Sequence, residues 1–468
     1  MNVTYDSSQL ERMDTYIKTV SGDTLTLDTE LLQEGLSHNA EEIFNIANRY
    51  FGASQIPKAI QLHTRRIHMG GWDQEIFMSI YNLGLCYKRT GNISQFISTM
   101  LDAWNYRATR VEPLFQLIDY YTHNRSYLLA QLYYDKAITI PLSDDVLCIE
   151  EGMYGHKLDY LYTLFAYYCN ITKEVYKSFA RIFNCPQYRI ENILRNYKCY
   201  VPILNTQTSI DIGRFCDLRL EEVTNPTIIE DANGYLVNIC VHKKNNPSVA
   251  IHKCLSMDKE FNIISTHTFD YTSDVKCLSL TRKEGRIWFI DEINSSNDYK
   301  TIQYGEYNNT LRTLMPMKYI QYTGKTLTAI PYSDSIIDNW YPLSICNIVK
   351  TEENNYKTVK HIEKKMPYMF SHVKGKTCGC RYKDELWFVV QYIYSFQNDP
   401  AYYFISIVVM DTQYNFKWTS YPFKLNSASI GSCLGIIVNE ETIILSHSKS
   451  YIYVLNKDVF IHDLKMLS

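Results

Sequence analysis

The stretch Leu83-Gly-Leu-Cys-Tyr-Lys88 decides how the first half of this chain is read. Its Tyr87 aligns with Tyr50 and Tyr121, at spacings of 37 and 34 residues. Three residues before each tyrosine sit Ala47, Gly84 and Ile118; nine after sit Ala59, Phe96 and Ala130; sixteen after come Arg66, Ala103 and Ala137. Small residues at fixed offsets let two antiparallel helices approach closely, with the tyrosine wedged between them. Such a unit cannot bury its apolar face alone. It stacks on its neighbours into a helical solenoid, and solenoids present extended surfaces to partners. The pattern therefore points to binding before catalysis.

Working outward, helix pairs are predicted over 40–51 with 57–68, 73–90 with 93–106, and 112–123 with 126–140. A less regular fourth pair covers about 157–184. Gly52, Gly70-Gly71 and Gly91-Asn92 punctuate them, since glycine takes the left-handed turn that closes a helix. Pro57 sits where a helix begins and its missing N–H is unneeded. The amphipathic stretch Arg189 to Tyr197 is predicted to cap the solenoid. Residues 1–38 read as a variable lead-in, with a helix around Leu31, Leu32 and Leu36. The expected divisions are a solenoid over 39–198, a linker and first strand over 199–222, and a second domain over 223–468.

The pattern changes after Pro202. Short β-branched and aromatic runs alternate with polar turns. Examples begin at Gly234, Gly285, Glu385 and Glu441, each after a charged or glycine-type turn. The intervals are 51 residues from Gly234 to Gly285 and 56 from Glu385 to Glu441, and the gap between leaves room for one unit around 325–348. Five units of roughly 50 residues match the blade period of a β-propeller. A sandwich would not explain a recurring interval of that length. The fold class expected is thus multidomain α plus β, an N-terminal α-solenoid followed by a five-bladed β-propeller.

At 468 residues the chain exceeds what one hydrophobic core supports. A hydrophobic content of 46% and a charged content of 21% are globular values. The net charge of −3 supplies no general attraction to nucleic acid, so none is expected as partner. No run of about 20 apolar residues suggests a membrane span. The N-terminus lacks the basic and apolar runs of a secretory signal, so a cytoplasmic location is expected. The 13 cysteines are scattered, and Cys378-Gly-Cys380 is the one close pair. Reduced thiols are expected, with no metal and no cofactor. Forty tyrosines beside abundant Ile, Asn and Lys suggest an AT-rich coding genome.

Several residues invite a functional reading. His63 and His68 are five apart and diverge by about 140° on a helix, so they do not make a zinc pair. Arg65, Arg66, Arg107 and Arg110 lie in the inner parts of the repeats and are expected to meet an acidic protein partner, if they are not engaged in local ion pairs. Trp72 and Trp104 are expected to pack between helices. Trp340 stands in a turn-like Asp-Asn-Trp-Tyr-Pro run. Its broad face suits either packing between blades or stacking on a sugar ring. Trp288 and Trp387 read as core.

Residues 40–180 resemble the tetratricopeptide-like (TPR-like) region that follows a family 2 glycosyltransferase domain in many bacterial and giant-virus proteins. The carrying residues are His68-Met-Gly-Gly-Trp-Asp73, Leu83-Gly-Leu-Cys-Tyr-Lys88, Arg110-Val-Glu-Pro-Leu-Phe115 and Ile140-Pro141. No nucleotide-sugar fold fits in the 38 residues before it, so a transferase activity of its own is disfavoured. The second half resembles a degenerate five-bladed propeller of the glycosidase-like superfamily, on Asn225-Pro-Thr-Ile228, Gly234-Tyr-Leu-Val-Asn238, Asn339-Trp340 with Pro342, Lys374-Gly-Lys-Thr-Cys-Gly379 and Ser420-Tyr-Pro-Phe423.

That resemblance implies a central sugar pocket built from carboxylates, an arginine and a histidine. Here the arginine position is Lys374, the histidine position is Gln391, and the glutamate expected before Cys433 falls at Gly431. Lysine loses the planar fork of arginine. Glycoside hydrolysis needs two carboxylates about the scissile bond, and only Asp274 and Asp338 remain as weak candidates. The expectation is a non-catalytic interaction protein associated with glycan or glycoprotein metabolism. Its helical groove holds a protein partner, and its propeller centre holds a glycan through Asn339, Trp340, Lys374 and Gln391. The runner-up is a carbohydrate-active, glycosidase- or phosphorylase-like enzyme using Asp274 and Asp338. The resemblance also implies a giant-virus source, hence host cytoplasm or virion.

Overall fold

The computed structural model describes residues 39–171, 174–204, 206–216, 221–244, 246–268, 278–295, 300–308, 313–322, 326–350, 356–373, 376–394, 402–425, 433–448 and 450–467. The chain forms two compact units, one ending at Ile182 and one beginning at Phe183.

The first unit holds α1 (Ala40–Gly52), α2 (Ile56–His68), α3 (Asp73–Arg89), α4 (Ile93–Tyr106), α5 (Glu112–His123), α6 (Tyr127–Ala137), α7 (His156–Phe165) and α8 (Val175–Ile182). Helices pack as consecutive pairs, and the first helix of one pair also touches the first of the next, α1 on α3 and α5 on α7. Small residues sit at the crossings: Ala47, Ala59, Ala103 and Ala130 are fully buried. A Cβ on Gly84 would lie 2.7 Å from Met100 Cε, which is why α3 and α4 meet there without a side chain between them.

The closing turns repeat as well. The carbonyls of Tyr50, Tyr87 and Tyr121 each accept the N–H five residues on, from Gln55, Asn92 and Ser126, all at 2.9 Å. Four residues after each tyrosine stands a left-handed residue, Ser54 (φ 58°), Gly91 (φ 74°) and Arg125 (φ 59°). The fourth pair obeys the same rule from Ala166, with Asn170 at φ 58° and Ile171 N–H bonded to the Ala166 carbonyl. Of the aligned tyrosines, Tyr50 is buried, whereas Tyr87 and Tyr121 are half-buried.

The second unit opens with α9 (Ile190–Tyr197). It was expected to end the solenoid, but it packs on the propeller. Its Tyr197 hydroxyl donates to the Pro422 carbonyl at 2.7 Å, and its ring meets Phe404 edge-on at 6.2 Å. The boundary at 182/183 therefore falls earlier than the expected 198.

Five blades follow. Blade 1 is β2 (Glu221–Asp231), β3 (Gly234–Lys243), β4 (Asn246–Met257) and β5 (Ile263–Thr268). Blade 2 is β6 (Ser279–Lys283), β7 (Arg286–Ser295), β8 (Lys300–Asn308) and β9 (Thr313–Tyr322). Blade 3 is β10 (Leu327–Ala329), β11 (Ser335–Trp340), β12 (Leu343–Lys350) and β13 (Tyr356–Lys364). Blade 4 is β14 (Lys376–Tyr382), β15 (Glu385–Tyr394), β16 (Tyr402–Asp411) and β17 (Phe416–Ser420). Blade 5 is β18 (Cys433–Val438), β19 (Thr442–His447) and β20 (Tyr451–Asn456), completed by β1 (Thr208–Asp211) from ahead of blade 1, with Thr208 opposite Val454. After α10 (Lys457–Leu464), β21 (Lys465–Leu467) pairs with β17.

Blades 1 to 4 are antiparallel meanders in chain order, and blade 5 is one whose outermost strand is β1. The first strands stand next to one another: β18 packs on β2, β2 on β6, β10 on β14 and β14 on β18. The cores lie between successive blades. One unites Trp387, Ile407 and Trp418 of blade 4 with Ile436, Leu445 and Tyr453 of blade 5. Another unites Val237 and Leu255 of blade 1 with Ile437 and Ile444 of blade 5. A middle strand thus packs on both faces, which is why β15 reads as an almost continuous apolar run.

Candidate functional site

The inner strands carry the chain along the propeller axis, and the connections feeding them are 217–220, 269–277, 323–325, 374–375 and 426–432. All five lie outside the described residues. Two expected site residues, Asp274 and Lys374, fall there.

Asn339 and Trp340 end β11, beyond a register shift between Ile337 and Asn339. Trp340 is 1% exposed. Its ring is covered by Phe370 at 6.2 Å and by Phe388 of blade 4, edge-on, at 5.5 Å. Its indole N–H finds no acceptor among the described residues. The face expected to carry a sugar is therefore filled by protein, and Trp340 is the packing bolt between blades 3 and 4. Asn339 Nδ2 donates to the Tyr341 carbonyl at 2.9 Å, fixing the Tyr341-Pro342 connection, whose peptide bond is cis.

Gln391 is 2% exposed, and its Nε2 donates to the Cys433 carbonyl at 3.4 Å. It ties β15 to β18 instead of reaching a ligand. Asp338 stands beside Cys346, whose thiol is pushed up to about 11, first by burial and then by that carboxylate. Asp338, Asn339 and Trp340 are consecutive on β11 of blade 3, and Gln391 lies on β15 of blade 4.

Next to Asn339 lies an open pocket of about 340 Å³. Tyr341 and Pro342 form one side; Glu363, Lys364, Lys365 and Met366, leaving β13, form the other. Lys364 Nζ donates to Gln413 O at 2.5 Å and Asn415 Oδ1 at 2.6 Å, reaching the β16–β17 loop of blade 4. Sequence reading missed these residues. The signal was the Lys364-Lys365 pair at the end of an alternating strand, close to Tyr341 only once the blade is formed. A smaller cavity of about 70 Å³ lies where the inner strands end, among Glu230, Arg282, Tyr332, Cys380 and Arg381. Burial pushes the Cys380 thiol up to about 12, so it remains protonated. Among the described residues no group of three His, Cys, Asp or Glu side chains converges to hold a metal.

In the helical unit, two of the four expected partner arginines are wholly buried. Arg66 binds Glu75 at 2.9 Å and the Gly70 carbonyl at 2.7 Å, tying the end of α2 to the start of α3. Arg110 binds Glu112 at 2.8 Å, Asp145 at 3.1 Å and the carbonyls of Leu147 and Cys148, and lies over the Phe77 ring at 4.6 Å. Neither can reach a partner, because the protein interior already supplies their counter-charges. Arg107 is half-buried and pairs with the same Asp145. Burial pushes Asp145 upward, but the bonds from Arg107 and Arg110 outweigh it and hold the carboxyl below the usual range. Arg65 is half-buried.

This unit also leaves apolar side chains open to solvent. On α6, Leu128 is 78% exposed, Leu129 41% and Leu132 61%. Ile138 and Leu142 beyond the helix are more than half exposed, and exposed Tyr168 stacks on Tyr127 at 4.2 Å. Among the described residues no helix is long and apolar enough to cross a membrane.

No family model matches this chain, and no curated protein matches it. Among solved structures it is similar to a GDP-Man-dependent mannosyltransferase from Leishmania mexicana, at 10% identity and a TM-score of 0.39, over 58% of this chain and 95% of that one. It is similar to a mannose phosphorylase from the same organism at 7% identity and 0.36, over 58% and 94%. A virginiamycin B lyase from Staphylococcus aureus follows at 14% and 0.28, over 53% and 98%. Likeness of this degree assigns no activity, and the propeller stands on its own strand order.

Proposed function

We propose that this chain is a non-catalytic binding protein whose helical unit docks an acidic amphipathic helix of a protein partner. The observation that carries the reading is the outward face of α6. Single exposed leucines are ordinary, but a contiguous apolar face marks an interaction site. Leu128 and Leu132 are spaced i, i+4, with Leu129 beside them, the spacing that receives the apolar stripe of a second helix. Exposed Arg125 stands just before the helix and exposed Lys136 in its last turn. The one carboxylate on α6, Asp135, accepts a bond from Gln131 at 2.6 Å. An apolar stripe between two cations complements a helix with carboxylates on its flanks.

The test is selection from a displayed library of helical peptides against the full-length protein, with affinities remeasured on Leu128→Asp/Leu132→Asp. Selected peptides should be acidic with apolar i, i+4 positions, and the double variant should bind at least tenfold more weakly. Peptides without that pattern, or unchanged binding by the variant, would remove the reading.

A glycan on the propeller is the second reading. It is favoured by the pocket beside Asn339, where Tyr341 offers the aromatic face that buried Trp340 does not. The sequence resemblance to glycosidase-like propellers supports it. Saturable binding on a glycan array, lost in Tyr341→Ala, is the expected result; indifference to that change would exclude this pocket.

A further inference from the structure

We infer that the pocket between Tyr341 and Met366 selects an anionic saccharide, one whose ring carries a carboxylate or a sulfate. This rests on the reading that the propeller binds a glycan, and it adds the ligand's charge and the residues that read it.

The charge follows from which groups are already engaged. Glu363 is paired with Lys360. The Lys364 ammonium is pinned by two neutral oxygens, Gln413 O and Asn415 Oδ1, so its position is fixed but those contacts do not cancel its charge. The carboxylate of that loop, Asp411, feels the Lys364 ammonium, which helps to hold it below the usual range, while its oxygens serve its own turn. It accepts from the N–H groups of Gln413 at 2.9 Å and Asn415 at 2.8 Å, and from Asn415 Nδ2 at 2.7 Å. Lys365 is exposed and makes no ion pair among the described residues. The pocket therefore presents the exposed Lys365 ammonium and the Lys364 ammonium, the latter partly offset by Asp411, against Glu363, which is already paired with Lys360.

The shape follows from the other wall. Tyr341 and Pro342 are rings on a connection held by Asn339, and Tyr368 braces Tyr341 edge-on at 5.7 Å. A sugar's C–H face packs on such rings, and its hydroxyls and anionic group turn to the lysines. The volume, about 340 Å³, falls within the range of about 300–1,000 Å³ usual for small-ligand sites. A lysine ammonium is a compact point charge, suited to a carboxylate or sulfate presented from one side.

The experiment is an array of neutral, uronate-containing and sulfated oligosaccharides probed with the full-length protein, Lys365→Glu and Tyr341→Ala. Acidic saccharides should bind at least tenfold better than neutral ones. Lys365→Glu should remove that preference, and added salt should weaken it. Which acidic class binds identifies the anion. Lys365 and Tyr341 lie outside the cores, so both variants should fold. Equal binding of neutral saccharides, or a preference untouched by Lys365→Glu, overturns this inference and leaves the glycan reading standing. No saccharide binding at all overturns the glycan reading itself.

Discussion

The two units bury polar groups in opposite ways. The helical unit places whole charges inside: Arg66 with Glu75, and Arg110 with Glu112 and Asp145, with both guanidinium groups at 0% exposure. The blades of the propeller bury neutral groups such as Thr227, Asn238, Gln391 and Ser446, and the buried Lys457 at the start of α10 is held by neutral oxygens of Tyr382 and Asn439. The difference follows from geometry. A blade satisfies its backbone through strand pairing, so side chains need only fill the space between blades. The segment from Ile138 to Glu150 has no such ladder, and Arg110, Arg107 and Gln74 bind it instead; the Gln74 side-chain carbonyl accepts from Val146 N–H at 3.0 Å and Leu147 N–H at 2.8 Å. A buried charge is harmless while paired and costly once widowed.

Hydrogen exchange read peptide by peptide separates the units and tests this contrast. Arg110→Met should have the largest effect, about 3–5 kcal/mol lost from the helical unit, because it leaves Glu112 buried without a cation and Asp145 with Arg107 alone. Exchange should rise over α5 and the 138–150 segment and stay unchanged in the blades. Uniform loss across the chain would mean that the contrast fails.

Trp340→Ala is the matching lesion in the propeller. It removes a side chain 1% exposed and should cost about 3–5 kcal/mol there, from a cavity between Phe370 and Phe388. Protection should fall in blades 3 and 4 and hold in the helices. A variant of native stability would show that the indole is replaceable by water, and would return Trp340 to the list of ligand contacts.

Acid sharpens the comparison further. His63 on α2 is fully buried, neither ring nitrogen has a partner among the described residues, and burial lowers its pKa to about 3. Its folded value lies below its unfolded value, so the unfolded chain takes up the proton first. Stability is intact above about pH 6.5 and falls by up to about 1.4 kcal/mol per pH unit as pH drops toward 3. Helical protection should decline across that window and His63→Gln should flatten the decline. A decline confined to more acid pH would assign it to carboxylates such as Asp145, whose bonds to Arg107 and Arg110 hold it below the usual range, and not to His63.

The smallest expected effect concerns Arg125. Its left-handed backbone strains an L side chain, so Arg125→Gly should leave the fold intact and stabilise α5–α6 by up to about 1 kcal/mol, read from the urea midpoint.

Much of this architecture was legible in the sequence. The tyrosine alignment marked the closing turn of three helix pairs. The runs at Gly234, Gly285, Glu385 and Glu441 are the second strands of blades 1, 2, 4 and 5, the strands packed on both faces and so the most apolar. The site was much less legible. The turn-like neighbours of Trp340, Asp, Asn, Tyr and Pro, left packing between blades and stacking on a sugar both open, because its cover, Phe370 and Phe388, comes from distant positions. Arg66 and Arg110 looked like surface charge because their carboxylate partners sit across turns. Burial of a charge is decided by how the turns fold over it, and by distant partners such as Asp145, neither of which periodicity encodes. The end of the helical unit was misplaced because α9 is amphipathic, and amphipathicity does not say which core a helix covers.

The pairing of β1 with β20 has a consequence for how this protein is made. Thr208 leaves the ribosome roughly 250 residues before its partner Val454, some 10–50 s earlier at ordinary rates of synthesis. Through that interval the last blade does not exist, and β1 waits with an open edge. Ring closure therefore waits until blade 5 has been made. A nascent chain halted within blade 5 should expose β1 to proteases and chaperones, while the helices made before it are already folded.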